Sequence, residues 1–156
     1  MPVEASRPED LEPILAMTRA VGVFSDEEVA TVDELFEAYL HDAHASGYHF
    51  LSYRDGDAVL GFACWGPTDL SASAADLYWI VAAPDAQRRG VAAELFAAVE
   101  AAVRAGGRRL IVIWTSGRPG YAPARRFYER MGCALAAQIP EYYDRGDDLY
   151  VYTRRL

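Results

Sequence analysis

One stretch constrains this chain more than any other: the apolar run Ala-Asp-Leu-Tyr-Trp-Ile-Val-Ala-Ala, residues 75–83, followed by Pro84-Asp-Ala-Gln-Arg-Arg-Gly90. A short, almost wholly apolar run of this kind reads as a strand inside a sheet, covered on both faces. A helical pattern starts directly after Gly90, with Leu95, Phe96, Val99 and Val103 on one face and Gly106-Gly107 as its stop. Strand, short loop, glycine and helix start together make an anion site. The first turn of a helix carries N–H groups without partners and the positive end of the dipole. Gly90 lets the backbone approach a ligand with no side chain in the way. Arg88 and Arg89 add charge, and Gln87 is placed to brace the loop. Read without a ligand, the same stretch is a tight turn with solvated arginines. Other phosphate motifs are missing: there is no Gly-x-x-x-x-Gly-Lys-Ser/Thr, no lysine to serve one, and no Gly-x-Gly-x-x-Gly after a first strand.

The length of 156 residues suits a single domain, residues 1–156, with a sizeable core. Its net charge of −8 is unevenly spread. Residues 1–80 carry 15 acids against 3 arginines, and residues 81–156 carry 8 acids against 12 arginines. The acidic total argues against a nucleic-acid partner. The asymmetry instead suggests one anionic and one cationic ligand, although charge also drifts between halves of a chain without function. The longest apolar stretch is too short to span a bilayer, so no membrane association is expected. Nothing at the amino terminus reads as a secretory signal, and a cytoplasmic location is the expectation. The two cysteines, Cys64 and Cys133, lie inside apolar runs and read as buried free thiols.

Along the chain, a short strand precedes a first helix containing Leu11, Ile14, Leu15 and Thr18 on one face, with Ser6 and Glu9 as its capping box and Pro8 in its first turn. Ser25 and Glu28 repeat the box before a second helix striped by Val29, Val32, Phe36 and Tyr39 and stopped by Gly47. Two strands flank the hairpin signal Asp55-Gly56-Asp57. After the central strand and its helix come the buried strand around residues 110–116, a short helix ending at Gly132, and two closing strands. The order β-α-α-β-β-β-α-β-α-β-β describes an α/β domain with a mixed sheet and one clear crossover helix.

Gln87-Arg-Arg-Gly-Val-Ala92 resembles the Gln/Arg-x-x-Gly-x-Gly/Ala signature of the GNAT acyltransferase superfamily. Further on, the helix from Ala124 to Gly132 resembles that family's second signature, Ala-x-x-x-Tyr-x-x-x-Gly-Phe, matching at Ala124, Tyr128 and Gly132 but with Cys133 where an aromatic is usual. Both signatures stand in register with the element order over nearly the whole chain. The resemblance implies the GNAT fold: a twisted, mostly antiparallel mixed sheet of about six to seven strands with about four helices. In that fold two central strands splay apart and hold acetyl-CoA like an added strand.

The resemblance also implies roles. The amides of Gln87, Arg88, Arg89, Gly90, Val91 and Ala92 would grip the cofactor's pyrophosphate. Ile80 and Ala82 would present backbone groups to pantetheine, with the Ile80 N–H facing the thioester oxygen. Tyr128 would protonate the departing sulfur, and Ala124 and Tyr121 would share its helix face. Many members carry asparagine where Tyr121 stands. Phe127 and Met131 suit the core better. Asp76, four residues before Ile80 and so expected on the same strand face, matches a catalytic glutamate of some members and is the leading candidate for the base. Glu141, Asp144 or no enzymic base are the alternatives. Trp65, Tyr142 and Tyr143 would wall the acceptor pocket, the last two from a loop. The activity implied is transfer of an acetyl group from acetyl-CoA to a primary amine by direct attack in a ternary complex, in a monomer or homodimer, and the charge asymmetry suggests a cationic amine. An idle acyl-CoA-binding module on the same fold is the rival. His41, Asp42 and His44 crowd a helix end, and no metal is expected there. Ser116 lacks the preceding glycine of a nucleophile elbow.

Overall fold

The computed structural model describes residues 2–156. The strands are β1 (Val3–Ala5), β2 (His49–Asp55), β3 (Ala58–Pro67), β4 (Ala74–Ala82), β5 (Leu110–Ser116), β6 (Ala134–Asp144) and β7 (Asp147–Arg155), and the helices are α1 (Leu11–Val21), α2 (Asp26–Ser46), α3 (Val91–Ala105) and α4 (Ala122–Arg130). They form one sheet in the order β1-β2-β3-β4-β5-β7-β6. Every pairing is antiparallel except β4 with β5, which α3 joins as a crossover. This is the α/β architecture implied by the resemblance, with its helix count and mostly antiparallel sheet.

Two cores form, one on each face. Ile14 and Leu15 of α1 and Val29, Val32 and Phe36 of α2 pack on Phe50, Phe62, Cys64 and Val81. On the other face, Leu95, Phe96, Val99 and Val103 of α3 pack on Ala75, Leu77, Ile111 and Ile113. Both cysteines are buried and free. Gly61 brings β3 tightly under α3: a Cβ there would lie 2.6 Å from Val91 Cγ1 and 2.9 Å from the Val81 carbonyl.

The capping box at Ser25 and Glu28 forms with both hydrogen bonds, at 3.0 and 3.1 Å, and Gly47 closes α2 in the left-handed region. The one expected at Ser6 and Glu9 does not. Ser6 Oγ instead meets Ser52 Oγ at 2.6 Å, while the Arg7 N–H donates to the Asp10 carboxylate at 2.9 Å and residues 8–10 form a 3-10 turn. The side chain across the sheet competes better for Ser6 than the helix does. Pro13 is tolerated because it sits in the first turn of α1, where its missing N–H has no carbonyl to serve.

Candidate active site

β4 and β5 pair only at Ala74–Leu110, Ala75–Ile111 and Asp76–Val112. Beyond Asp76 the two strands separate. On its other edge β4 stays paired to β3 as far as Ala82–Gly61, and the Ala83 N–H donates to the Leu60 carbonyl at 2.8 Å. Backbone groups alternate sides along an antiparallel strand. Trp79, Val81 and Ala83 therefore bond towards β3, and Ile80 and Ala82 point their N–H and C=O groups into the gap on the β5 side. Gln87 Nε2 comes to 3.5 Å from the Ala82 carbonyl and braces the loop against this edge.

The gap opens into a cleft of about 580 Å³ whose walls include Ile80, Ala82, Gln87, Arg88, Ala92, Tyr121, Ala124 and Tyr128. Gly90 is the N-cap of α3 and takes φ 76°, a left-handed conformation that suits glycine. The helical ladder begins with the Glu94 N–H donating to the Gly90 carbonyl at 3.1 Å. The N–H groups of Val91, Ala92 and Ala93 thus precede the first intrahelical bond and remain the donors of this end. Arg89 turns away, against the expectation of a pyrophosphate contact: its guanidinium pairs with Asp55 on the β2–β3 hairpin at 3.2 Å and its N–H donates to the Ala86 carbonyl at 3.1 Å.

Tyr128 and Phe127 both border the α3 core and the cleft. Tyr128 is buried, with 7% exposure, and touches both the α3 core and the cleft. Phe127 is half-buried, packs edge-on against Phe96 at 6.0 Å and also lines the cleft. Burial, and secondarily the Cys133 thiol, raises the pKa of the Tyr128 hydroxyl above the ordinary tyrosine value, so it stays protonated. Tyr121 reaches across to the α1–α2 turn, with its hydroxyl 3.4 Å from the Val23 carbonyl and its ring edge-on to Phe24 at 6.2 Å. Burial first, then the charges of Glu28 and Asp147, push its pKa up to about 12.

Asp76 does not share a face with Ile80. The register runs Cys64–Trp79 and then Trp65–Leu77, so Tyr78 is an extra residue in β4. That bulge reverses the alternation: Ala75, Leu77 and Ile80 all pack on the α3 side, and Asp76 lies on the opposite face. There its carboxylate accepts a hydrogen bond from Thr68 Oγ1 at 2.9 Å, with the Tyr78 hydroxyl 3.5 Å away. Asp76, Tyr78, Val112 and Trp114 line a second hollow of about 300 Å³ beside the last β4–β5 pair.

Three other expectations need correction. Tyr142 and Tyr143 belong to β6 rather than to a loop, and Glu141 beside them takes φ 53° where the pairing with β7 slips. Glu141 accepts from the Gly146 N–H at 3.0 Å and Asp144 from the Arg145 N–H at 2.8 Å, so both carboxylates hold the β6–β7 turn. Trp65 stacks on His49 at 4.7 Å and packs against the α3 core, outside both hollows, whereas Tyr142 reaches Trp114 edge-on at 5.8 Å. Tyr143 packs on Tyr142 at 5.0 Å. Asp42 interrupts α2 with φ −164° and caps its last turn by accepting from the Ala45 N–H at 3.0 Å. Among the described residues no cluster of His, Cys, Asp and Glu is grouped for a metal. Ser116 is buried against Asp147.

Sequence reasoning passed over several cleft residues. Val21, Val23 and Phe24 close it from the α1–α2 turn, and Arg126 and Arg130 add cations from one face of α4. The i, i+4 spacing of those arginines was the available signal.

The profile of the Acetyltransferase (GNAT) family matches residues 14–133. A crystal structure of a GNAT-family protein from Desulfovibrio desulfuricans superposes with a TM-score of 0.94 at 37% identity, covering 98% of this chain and 97% of that one. The chain therefore belongs to the GNAT acetyltransferase family. More distant structures share the fold. The yncA protein of Salmonella typhimurium, determined with its cofactor acetyl-CoA, has TM-score 0.79 and 19% identity over 99% of this chain and 92% of that one. An aminoglycoside 6'-N-acetyltransferase complexed with coenzyme A has TM-score 0.79 and 14% identity over 99% and 97%. No curated protein sequence matches the chain.

Proposed function

We propose that the protein transfers the acetyl group of acetyl-CoA to the nitrogen of a primary amine in a ternary complex. The observation that carries this reading is the β4–β5 gap, where the backbone of Ile80 and Ala82, not paired to β5, meets the donors at the start of α3 in one cleft. Pantetheine would complete the edge of β4 as an added strand. The pyrophosphate would sit on the α3 amino terminus, with Arg88 beside it and Arg126 and Arg130 available to the remaining phosphate.

The amine enters from the Asp76 face and attacks the thioester carbonyl through the gap. The Ile80 N–H stabilises the oxyanion that forms. The bound ammonium first loses one proton to solvent through Asp76; Asp76 then takes the second proton from the nitrogen, directly or through one water, as the N–C bond is made. When the C–S bond breaks, the thiolate takes the proton of the Tyr128 hydroxyl. Solvent then carries the proton from Asp76 back to Tyr128, leaving an amide and free CoA thiol.

Thiol release from acetyl-CoA, followed with polyamines, amino acids, aminoglycosides, simple alkylamines and protein amino termini, tests the proposal. It predicts release matched by an N-acetyl product for at least one class. Tight acetyl-CoA binding with no release for any of them would favour a cofactor-binding module instead.

A further inference from the structure

The second hollow has a chemistry of its own. Tyr78 and Trp114 stand two positions beyond the last β4–β5 pair, Asp76–Val112, one on each strand, and so flank the mouth of the gap. Both are large aromatic residues left open to solvent, Tyr78 at 42% exposure and Trp114 at 55%. Burial of their rings elsewhere in the fold would have been favourable, yet no helix covers them: α1 and α2 pack over β2, β3 and the far end of β4. Tyr142 of β6 steadies the indole edge-on at 5.8 Å with rings at 90°. Val112 supplies the apolar floor, and Asp76 is the one charged residue in the lining. Arg108, at the root of the same strand pair, has its guanidinium committed to the carbonyls of Ser71 and Ala74 at 2.5 and 2.8 Å. The hollow therefore offers aromatic surface and a single carboxylate, with no cation among the described lining residues to meet an anionic substituent.

We propose that the hollow between Tyr78 and Trp114 is the acceptor subsite and that it selects a small primary ammonium on an apolar or aromatic body lacking any anionic group. This rests on the acetyl-transfer reading above. An ammonium beside Asp76 gains a charge-assisted hydrogen bond, and the ring faces attract its positive end while covering its apolar body. A carboxylate on the acceptor would be desolvated against Asp76 with nothing to pair it. At about 300 Å³ the hollow is at the small end for a ligand site, which suits a compact amine better than a folded oligosaccharide.

Equilibrium binding to the full-length protein saturated with CoA tests this without requiring turnover. The probes are 2-phenylethylamine and phenylalanine, which differ by one carboxylate. The amine is expected to bind saturably and phenylalanine at least about tenfold more weakly. Trp114→Ala should weaken the amine by about tenfold or more and Trp114→Phe should restore most of it, with CoA affinity unchanged in both. Trp114 is exposed enough for its truncation to spare the core. No saturable binding of the amine at millimolar concentration, equal binding of phenylalanine, or an unchanged Trp114→Ala would overturn the proposal. If the amine binds as expected but no amine is ever acetylated, the acetyl-transfer reading fails and the cation subsite stands.

Discussion

Asp76 and Ile80 lie on opposite faces of β4, although four residues separate them and simple alternation would put them together, because Tyr78 is accommodated as an extra residue across from Cys64 and Trp65. The bulge divides the labour of the strand. Below it β4 is held to β5 and presents Asp76 to the open face; above it the backbone of Ile80 and Ala82 is left free towards the gap. An acceptor and a cofactor approaching from different sides can then meet at one carbonyl carbon.

In the proposed reaction, that division lets Asp76 serve as the base for the acceptor. Alkylamines are cationic at neutral pH, with pKa values near that of lysine, about 10.4. Asp76→Asn should leave the reaction dependent on amine that has already lost its proton, a fraction that rises about tenfold per pH unit below that pKa. The deficit in kcat/KM should be largest at low pH and shrink as pH rises. A deficit constant across pH would assign Asp76 to positioning alone.

Tyr128 must be protonated to serve as the acid, and its raised pKa keeps it so through and beyond the ordinary tyrosine value of 10.0. Activity should show no loss from tyrosine ionisation below about pH 10. Tyr128→Phe should leave acetyl-CoA affinity within several-fold and lower kcat by about 10²-fold or more where chemistry limits turnover. An unchanged kcat would make it a core residue only.

The element order, α3 with its glycine start, and the motif on α4 were legible because each rests on local patterns: apolar periodicity, a cap, a glycine stop. What escaped the sequence depends on partners far away in it. The bulge at Tyr78 is defined by register with β3, Arg89 is drawn off by Asp55, and Ser6 is taken by Ser52. Tyr142 and Tyr143 read as loop residues because Pro140 and Glu141 break strand propensity, yet the pairs Ile139–Leu149 and Asp144–Asp147 on either side carry them into the sheet edge. On α4, spacing alone did not reveal that the side towards Cys133 and Tyr152 is the deeper one, which buries Tyr128 more than Phe127.

The contact of β3 with α3 predicts a stability effect. Gly61→Ala would force Val91 or the strand to shift, and overpacking of this kind costs about 1–3 kcal/mol. A lowered denaturation midpoint with an unchanged m-value checks it. An unchanged midpoint would show that α3 is free to move away from the sheet.

The cleft carries Arg88, Arg126 and Arg130, and the hollow carries Asp76. Raising ionic strength should therefore raise KM for a cationic acceptor more than for a neutral one. Equal salt effects on both acceptors would remove the electrostatic argument for a cationic substrate.

The central claim, that acetyl-CoA lies in the β4–β5 gap with its pyrophosphate on the start of α3, is tested most directly by calorimetric titration of Gly90→Glu with acetyl-CoA. A Cβ at Gly90 would meet no atom within 4 Å, so the fold has room for a side chain there, while φ 76° and a new anion both act at the ligand's side of the loop. The account predicts saturable binding to the native protein and none to a Gly90→Glu variant that retains its circular dichroism and thermal transition. Native affinity in that folded variant would contradict it.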